Sequence, residues 1–352
     1  MKSYIVSDNV EKYFIFLYYS IFYITEKVIS MKTSEKVLQL LLKKQAFLSG
    51  QELADELNVS RTAVWKAIQS LQEEGYQIES KPRIGYRYIE GLKLSEASIR
   101  RFLNPELDLN FEIYDTIDST NNRCSQKAMD PEKKTPLVVI SDSQKAGHGR
   151  YGRPFASPVG GGIYISILLD NDDPDFNPGL LTTATAIAVT RTIEKLVHAR
   201  CEIKWVNDVL VDGKKIVGIL TEGVADLETQ LIKHVIVGTG INYLTDPSKF
   251  PEEIRQRAGS LRRYTLDSGV SRNTFIANYL NEFFSLYQNY KAASFMDEYR
   301  AHSNTIGKDV TINRSGQTSE GHVATIDNQG RLVLSSGETL ASGEVTKIIS
   351  TD

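Results

Sequence analysis

Residues 144–153, Gln-Lys-Ala-Gly-His-Gly-Arg-Tyr-Gly-Arg, are the part of the chain best suited to bind an anion. Three glycines alternate with cationic and aromatic residues directly after an apolar run that predicts a strand. Glycine lets backbone N–H groups approach a ligand closely, and the guanidinium groups of Arg150 and Arg153 are forked donors for phosphate or carboxylate. The segment predicts an anion-binding loop; an exposed hinge is the alternative. No GxxxxGK[ST] segment exists, so ATP, if used, is held in another way.

A second group of polar residues lies between two predicted strands. Lys204-Trp205-Val206-Asn207-Asp208 ends one apolar run, and an Asp212-Gly213 turn returns Lys215 towards it. Lys215 can neutralise a carboxylate or phosphate, and Asp208 can hold a metal ion or take a proton. Each residue alone is more often part of a surface salt bridge, which is the alternative.

Two further segments contain residue types suited to a ligand. Residues 237–242 place Gly238 and Gly240 after a β run, where the backbone can pack against a ligand; a plain β-turn is the alternative. Residues 118–122 offer a cluster of hydroxyl groups, for which a helix N-cap is the alternative. Only the four segments together indicate a single site.

The composition is that of a globular chain of two or three domains. At about 150 residues per domain, 352 residues exceed one module. Apolar residues at 41%, charged residues at 24% and a mean hydropathy of −0.27 argue against long disorder or a membrane-helix bundle. The net charge of −3 requires a local basic surface for any nucleic-acid binding. Cys124 and Cys201 form no CxxC or Cys/His cluster, so we expect structural thiols in a cytoplasmic protein.

The region that carries the four segments alternates β-rich and helical runs, which predicts an α/β layer architecture. The Asp212-Gly213 turn is typical of a type I′ hairpin, so part of the sheet is antiparallel and a purely parallel Rossmann sheet is disfavoured. The predicted strands are 137–141, 162–169, 202–206, 209–211, 215–222 and 233–238, and the predicted helices are 94–103, 181–198 and 273–302.

Residues 34–90 predict three helices followed by a β-hairpin. Ser34 caps the first helix, Ser49-Gly50 opens a second over 51–57, and Ser60 caps a third over 61–74. Gly75 ends the third helix, and strands at 76–80 and 86–89 flank a loop. This order predicts a winged helix-turn-helix.

The third helix and the hairpin loop expose polar and basic side chains. Val64, Ile68 and Leu71 share one apolar face, which leaves the opposite face for base edges and phosphates. A protein-interaction module is the alternative, because residues 34–90 hold eight acidic and eight basic side chains. The predicted DNA contacts are Ser60, Arg61, Thr62, Trp65, Lys66, Gln69, Lys81 and Arg83.

The two ends of the chain differ in character. From about Gly307, alternating runs at 309–313, 322–326, 331–334 and 345–350 predict a small antiparallel barrel. Residues 1–30 contain eight aromatic residues, and their longest apolar run, 13–24, is shorter than the roughly 20 residues that span a membrane. We interpret residues 1–30 as a non-native or disordered extension before Met31, with an interfacial anchor as the alternative.

In order, these motifs resemble those of the biotin protein ligases, and with the winged helix the chain resembles the bifunctional biotin ligase and biotin-operon repressor family from about Ser34 onwards. The resemblance implies an α+β multidomain protein. Its parts would be a winged helix-turn-helix over 31–90, a mixed-sheet, class II synthetase-like biotin/lipoate ligase domain over 91–305, and an SH3-like barrel over 306–352. His148, Tyr151, Phe155 and Val206 depart from the arginine, arginine, tryptophan and proline usual in relatives.

The resemblance also implies a role for each matching residue. Arg150, Lys215 and Asp208 would be catalytic, with Asp208 as a ligand of Mg²⁺. Biotin would be bound by Ser119, Thr120, Asn121, Gln144, Gly147, His148, Gly149, Arg150, Lys215 and Gly218. ATP and the adenylate would be bound by Arg150, Arg153, Lys204, Asn207, Lys215, Gly238 and Asn242. The Ser342–Val345 segment would assist ATP or acceptor binding.

The activity implied by the resemblance is the ATP- and Mg²⁺-dependent ligation of biotin to a lysine of a biotin carboxyl carrier domain through biotinoyl-5′-AMP. Repression of biotin genes by an operator-bound homodimer would depend on the same adenylate. The expected partners are therefore the carrier domain, operator DNA and a second copy of the chain, with no membrane. A non-enzymatic biotin-sensing transcription factor and a lipoate or octanoate ligase are the alternatives.

Overall fold

The computed structural model describes residues 31–44, 46–89, 91–226, 229–314 and 317–349, so the interpretation of residues 1–30 lies outside the described residues. The chain forms two compact units that meet in sequence between Lys93 and Leu94.

The first unit contains the three predicted helices and the hairpin. The helices are α1 (Thr33–Lys44), α2 (Gly50–Leu57) and α3 (Arg61–Glu73), followed by the antiparallel strands β1 (Ile78–Lys81) and β2 (Gly85–Tyr88). Ser49 caps α2 in a capping box with Glu52, and Ser60 caps α3, as predicted. The cap predicted at Ser34 is wrong, because α1 begins one residue earlier and Ser34 lies within it.

Burial in this unit follows helical periodicity. Val64, Ile68 and Leu71 of α3 are at most 2% exposed and pack with the buried face of α1, as the i, i+4, i+7 pattern predicts. Gly75 has a φ of +92°, the left-handed conformation expected where a helix ends. The helix-turn-helix is therefore held together by the apolar faces that the sequence indicates.

The second unit is built on a mixed seven-stranded sheet. Its elements up to the sheet centre are α4 (Glu96–Arg100), β3 (Asn110–Tyr114), α5 (Thr120–Ala128), β4 (Leu137–Ser141), β5 (Ile163–Asp170) and α6 (Pro178–Val197). Next come β6 (Glu202–Lys204), β7 (Asp208–Val211), β8 (Lys214–Ala225), β9 (Ile232–Ile241), α7 (Glu252–Arg255), α8 (Arg262–Ser268), α9 (Arg272–Tyr287) and α10 (Met296–His302).

The strand order is β3-β4-β5-β9-β8-β7-β6, with β3 and β4 parallel and the remaining neighbours antiparallel. Asp212 and Gly213 have φ values of +53° and +69° in the β7–β8 hairpin, which confirms the predicted antiparallel turn. The prediction missed β3, whose side chains are only half-buried and which lacks the continuous apolar run of β4 and β5. The single helix predicted over 273–302 is wrong, because the chain breaks into α9, a 3₁₀ turn at Tyr290–Ala292, and α10.

Helices cover the sheet on its two faces. Leu137, Val139 and Leu168 face α5 and pack with Cys124, whereas Val138 and Ile140 belong to the large core that includes α6 and α9. The alternation along β4 thus separates a small cluster from the main core. This arrangement places the N-terminus of α5 above the centre of the sheet.

The C-terminal region is a five-stranded antiparallel sheet, as predicted for the barrel. Its strands are β10 (Asp309–Arg314), β11 (Gln317–Ile326), β12 (Leu332–Leu334), β13 (Thr339–Leu340) and β14 (Glu344–Ile349), in the order β13-β12-β11-β10-β14. The two-residue β13 was not predicted. The indole N–H of buried Trp205 donates to the carbonyl of Gly330 at 3.0 Å, which fastens this sheet beside the start of β7.

Candidate active site

A cavity of about 360 Å³ opens beside the centre of the seven-stranded sheet. Every residue predicted to bind biotin, ATP or Mg²⁺ lines this cavity except Gly147. The structure therefore brings together four segments that lie between residues 118 and 242 of the sequence. A volume of this size, lined by both polar and apolar side chains, is typical of a small-molecule site.

The floor of the cavity is the N-terminus of α5. Ser119 caps the helix by accepting the Asn122 N–H, so the N-cap interpretation of this segment is correct as well. The amide oxygen of Gln144 accepts from the Thr120 backbone N–H at 2.8 Å and from its hydroxyl at 3.1 Å. The Gln144 amide nitrogen donates to Ser157 at 3.0 Å. These contacts hold polar side chains in fixed orientations towards the cavity.

Gly147 acts next to the cavity rather than in its wall. A β-carbon at this position would lie 2.7 Å from Gln144 Nε2, 2.8 Å from Ser157 Oγ and 2.9 Å from the Phe155 carbonyl oxygen. Only glycine fits there without moving the floor. At Gly149, by contrast, the nearest atom would be 3.9 Å from an added β-carbon, so this glycine is not required by space.

The loop over residues 147–155 folds back on itself as an irregular hairpin. The Gly149 N–H donates to Arg153 O and the Phe155 N–H to Gly147 O, each at 2.8 Å. Gly147, Gly149 and Gly152 have the spacing G-x-G-x-x-G. The motif ends in a three-residue 3₁₀ turn, whereas in a dinucleotide-binding fold it opens a long helix.

The two arginines of the loop already have protein partners. Arg150 Nη1 donates to Asn207 Oδ1 at 3.3 Å, and its guanidinium lies 5.3 Å from the centre of the Tyr151 ring. Arg153 forms an ion pair with Glu344 at the start of β14. The loop is thereby tied both to the β6–β7 connection and to the C-terminal sheet. Neither Glu344 nor the Arg153 contact was assigned from the sequence, although Ser342–Val345 was singled out as a segment.

Charged groups from β7 and β8 face the loop across the cavity. Lys215 Nζ and Asp208 Oδ1 are 2.7 Å apart, an ion pair that lacks hydrogen-bond geometry. Burial lowers the pKa of Lys204, and the nearby carboxylates of Asp208 and Glu344 partly oppose that shift. The cavity therefore holds several cations in a partly desolvated space, which favours an anionic ligand.

The wall contains an aromatic ring that was not assigned a role from the sequence. Phe155 packs where β-carbons on Gly240 and Gly218 would come within 2.4 Å and 3.0 Å of its ring atoms. Its ring is edge-to-face with Tyr164 at a centroid separation of 6.3 Å. Two glycines on neighbouring strands thus make room for this ring, a signal that is visible only once β8 and β9 are paired.

The donor set for a metal ion is small. Among the described residues there is no group of three or more His, Cys, Asp or Glu side chains close enough to hold a metal ion. Asp208 is the carboxylate that faces the cavity from β7, and Lys215 neutralises it. Mg²⁺ keeps several waters and commonly binds through one carboxylate and substrate phosphates, and Asp208 has the chemistry to be that carboxylate.

The first unit exposes all eight residues predicted to contact DNA. Trp65 on α3 is 53% exposed, which is unusual for so large an apolar side chain. Lys81 has partners within the first unit. Its Nζ lies 3.2 Å from Glu79 on the same strand and 4.7 Å from the Phe47 ring centre. Arg83 lies in the turn between β1 and β2 with a φ of +67°. The polar face of α3 and the tip of the hairpin are therefore both accessible.

Fold and cavity together define a ligase of the biotin/lipoate type joined to a helix-turn-helix module. Three family models match the chain in order: "HTH domain" over 33–87, "Biotin/lipoate A/B protein ligase family" over 113–242, and "Biotin protein ligase C terminal domain" over 305–347.

Curated relatives show to which family within this class the chain belongs. The bifunctional ligase/repressor BirA of Bacillus subtilis is 35% identical, with 87% of this chain and 93% of the relative covered. BirA of Escherichia coli is 27% identical, with 86% and 94% covered. The chain belongs to the family of bifunctional biotin ligases and repressors.

A solved structure shares the fold of this chain over most of its own length. The biotin protein ligase from Aquifex aeolicus in complex with biotin and ATP gives a TM-score of 0.54 at 23% identity, with 67% of this chain and 97% of that chain covered. Within the described residues, no helix has the length and apolar character to cross a membrane.

Proposed function

We propose that this protein joins biotin to a lysine of a biotin carboxyl carrier domain in two steps. In the first, the biotin carboxylate attacks the α-phosphorus of ATP, releasing pyrophosphate and forming biotinoyl-5′-AMP. In the second, the carrier lysine amine attacks the acyl carbon and AMP leaves. The observation that carries the proposal is the convergence of Arg150, Lys215 and the Gln144 network on one cavity.

The distribution of charge suits the first step. Negative charge grows on the α-phosphate as the carboxylate oxygen attacks, and Lys215 and Arg150 both line the cavity. Cations that are already oriented stabilise such a transition state without reorganisation. We infer that Lys215 contacts the carboxylate and α-phosphate, and that Arg150 closes over the adenylate to slow its escape.

The uncharged end of the cavity suits the vitamin. Thr120, Gln144 and the backbone around His148 offer hydrogen-bond partners of both kinds, which match a cyclic urea with one acceptor and two donors. Asn242 is 5% exposed, and its Oδ1 has no hydrogen-bond partner although the residue lines the cavity. We assign that oxygen to an N–H donor of the nucleotide base.

Mg²⁺ is proposed as the ion that accompanies ATP, with Asp208 as its protein ligand. When bound, it would neutralise charge on the phosphates. Lys204, Asn207, Arg153 and Gly238 would complete the nucleotide site. Gly149 and Gly218 would leave space for the ligand beside Ser119 and Asn121, and Gly147 would leave space for the Gln144 side chain.

We further propose three working parts, 31–90, 91–305 and 306–352, and a cytoplasmic location where ATP is available. Biotinoyl-AMP would stabilise the loop over 147–155 and thereby a homodimer, so that two winged helices read two operator half-sites through Ser60, Arg61, Thr62, Trp65, Lys66, Gln69, Lys81 and Arg83. Sedimentation at fixed protein concentration tests the dimer: biotinoyl-AMP is expected to raise the dimer fraction, and an unchanged fraction contradicts the coupling.

One assay tests the enzymatic proposal. Purified protein is incubated with MgATP, biotin and an apo carrier domain, and the carrier is examined by mass spectrometry for the biotinyl adduct. Parallel reactions with lipoate or octanoate in place of biotin test the related ligase activity. An adduct with biotin alone supports the proposal; biotin binding without an adduct indicates a sensor, and an adduct with lipoate or octanoate but not biotin indicates the other ligase.

A further inference from the structure

A carboxylate stands directly behind the floor of the cavity. Glu222 of β8 does not line the cavity, but its Oε2 accepts from Asn121 Nδ2 at 2.6 Å. Strand register puts Glu222 on the face of the sheet that carries α5, because its neighbour Thr221 points the other way and contacts Thr182 of α6 at 2.7 Å. Glu222 therefore touches the site only through Asn121.

The charge type of Glu222 fixes the orientation of the Asn121 amide. An ionised carboxylate only accepts hydrogen bonds, so the amide nitrogen must face Glu222 and the amide oxygen must face away. Asn121 Oδ1 then lies 2.5 Å from Ser166 Oγ. The amide is confined, since a β-carbon on Gly238 would come within 2.2 Å of the same oxygen.

The orientation of the Asn121 amide affects the cavity floor through the single hydroxyl proton of Ser166. Ser166 is fully buried and lies 2.7 Å from Thr120 Oγ1 as well as 2.5 Å from Asn121 Oδ1. It has a single proton for these two acceptors. Thr120 in turn contacts Gln144 Oε1. The carboxylate thus makes Asn121 Oδ1 the acceptor of the Ser166 proton, which leaves the Ser166 oxygen as an acceptor that competes with Gln144 Oε1 for the Thr120 hydroxyl proton.

We propose that Glu222 is a positioning residue that fixes the donor and acceptor pattern of the pocket floor, and through it the recognition of a cyclic urea. This inference rests on the proposed function. A site with a fixed pattern rejects a ligand whose pattern differs, because buried polar groups would be left unpaired. In Glu222→Gln the side chain keeps its shape but offers either an oxygen or an NH₂ group, so Asn121 can flip and the pattern is no longer fixed.

The matched control is Glu112→Gln. Glu112 is also a partly buried carboxylate that holds α5, through Arg123 at 2.7 Å, but it has no contact with Asn121, Ser166 or Thr120. Both substitutions remove one carboxylate anchor from α5. A purely structural role of Glu222 would therefore be reproduced by the control.

The test measures adenylate formation and direct biotin binding by calorimetry for the full chain and both variants. Glu222→Gln is expected to raise the biotin KM and Kd about tenfold, with kcat at saturating biotin and the ATP KM within twofold of the unsubstituted protein. It should also change by threefold or more the ratio of affinities for biotin and 2-iminobiotin, in which an imino group replaces the ureido oxygen. Glu112→Gln should leave all of these values unchanged.

Three outcomes overturn the inference: an unaltered biotin affinity in Glu222→Gln, an unaltered biotin to iminobiotin ratio, or equal effects in the two variants. Thermal unfolding of each variant identifies a loss of folding, and Glu222→Asp, which keeps the carboxylate, should recover part of the affinity. Failure of the unsubstituted protein to form the adenylate contradicts the proposed function instead, and calorimetry still reports on Glu222 in that case.

Discussion

Substitution of Lys215 tests the chemistry of the cavity most directly. The Lys215 ammonium lies 2.7 Å from Asp208 Oδ1 and, with Arg150, lines the cavity to which the α-phosphate is assigned. Lys215→Ala removes a positioned cation where negative charge develops. Loss of one such donor typically costs about 2.7 to 4 kcal/mol of barrier, which corresponds to roughly a hundredfold to a thousandfold in rate.

A second effect acts in the same direction. Without Lys215, the Asp208 carboxylate is left without its ion-pair partner beside an anionic substrate. The double variant Lys215→Ala with Asp208→Asn removes that repulsion together with the proposed Mg²⁺ ligand, so its loss of rate should be smaller than the product of the losses in the two single variants. Non-additivity of this kind is expected for residues in direct contact.

The assay is single-turnover formation of biotinoyl-AMP from MgATP and biotin, quenched and quantified by mass spectrometry. Lys214→Ala is the matched control, since Lys214 is the preceding residue of β8, is exposed, and does not line the cavity. A rate for Lys215→Ala within about threefold of the control would remove Lys215 from the mechanism.

Four further predictions concern other parts of the chain. Gly147→Ala should raise the biotin KM at least tenfold, because its β-carbon would come within 2.7 Å of Gln144 Nε2, whereas Gly149→Ala, with 3.9 Å of space, should not; steady-state kinetics distinguish the two. Arg150→Gly should release the adenylate and biotinylate bystander proteins such as albumin, as read by avidin blotting, and unchanged labelling specificity would contradict a retaining role. Arg61→Ala should lower the slope of log affinity against log salt for operator DNA by about 1, and an unaltered slope would separate Arg61 from the phosphates. Replacing Arg272, which is 3% exposed and paired with Asp142, by Met should lower the free energy of unfolding by about 3 to 5 kcal/mol, as measured by urea unfolding. A loss below about 1 kcal/mol would count against a stabilising ion pair.

Local signals in the sequence were sufficient for most of the fold. The Ser60 cap, the positive φ at Gly75 and the Asp212-Gly213 hairpin depend on residues close together in the chain, and each lies where its type predicts. Errors fell where packing overrides local preference. Strand β3 is only half-buried, so its residues lack the continuous apolar run by which β4 and β5 were found.

The cavity residues that were predicted share a second property: each belongs to a short segment whose residue types already suggest chemistry. Phe155 does not, and Glu344 belongs to the Ser342–Val345 segment, in which it was given no role of its own. The Phe155 ring fits into the cavity wall because Gly218 and Gly240 are cross-strand partners when β8 pairs with β9. Glu344 gains its place because the C-terminal sheet lies against Trp205, which brings a distant carboxylate to Arg153.

Glu222 is the clearest example of a residue whose role the sequence alone does not indicate. By sequence it is one acidic residue at the end of an apolar run, the usual pattern of a strand whose polar positions face solvent. Its contact with Asn121 spans 101 positions and requires both the register of β8 and the placement of α5 on that face of the sheet. A residue that acts through another residue has no chemical signature of its own, because its partner supplies the contact with the ligand. Such residues become visible only when hydrogen bonds are followed outward from the cavity wall to the first group that can play just one role, and an ionised carboxylate is that group here.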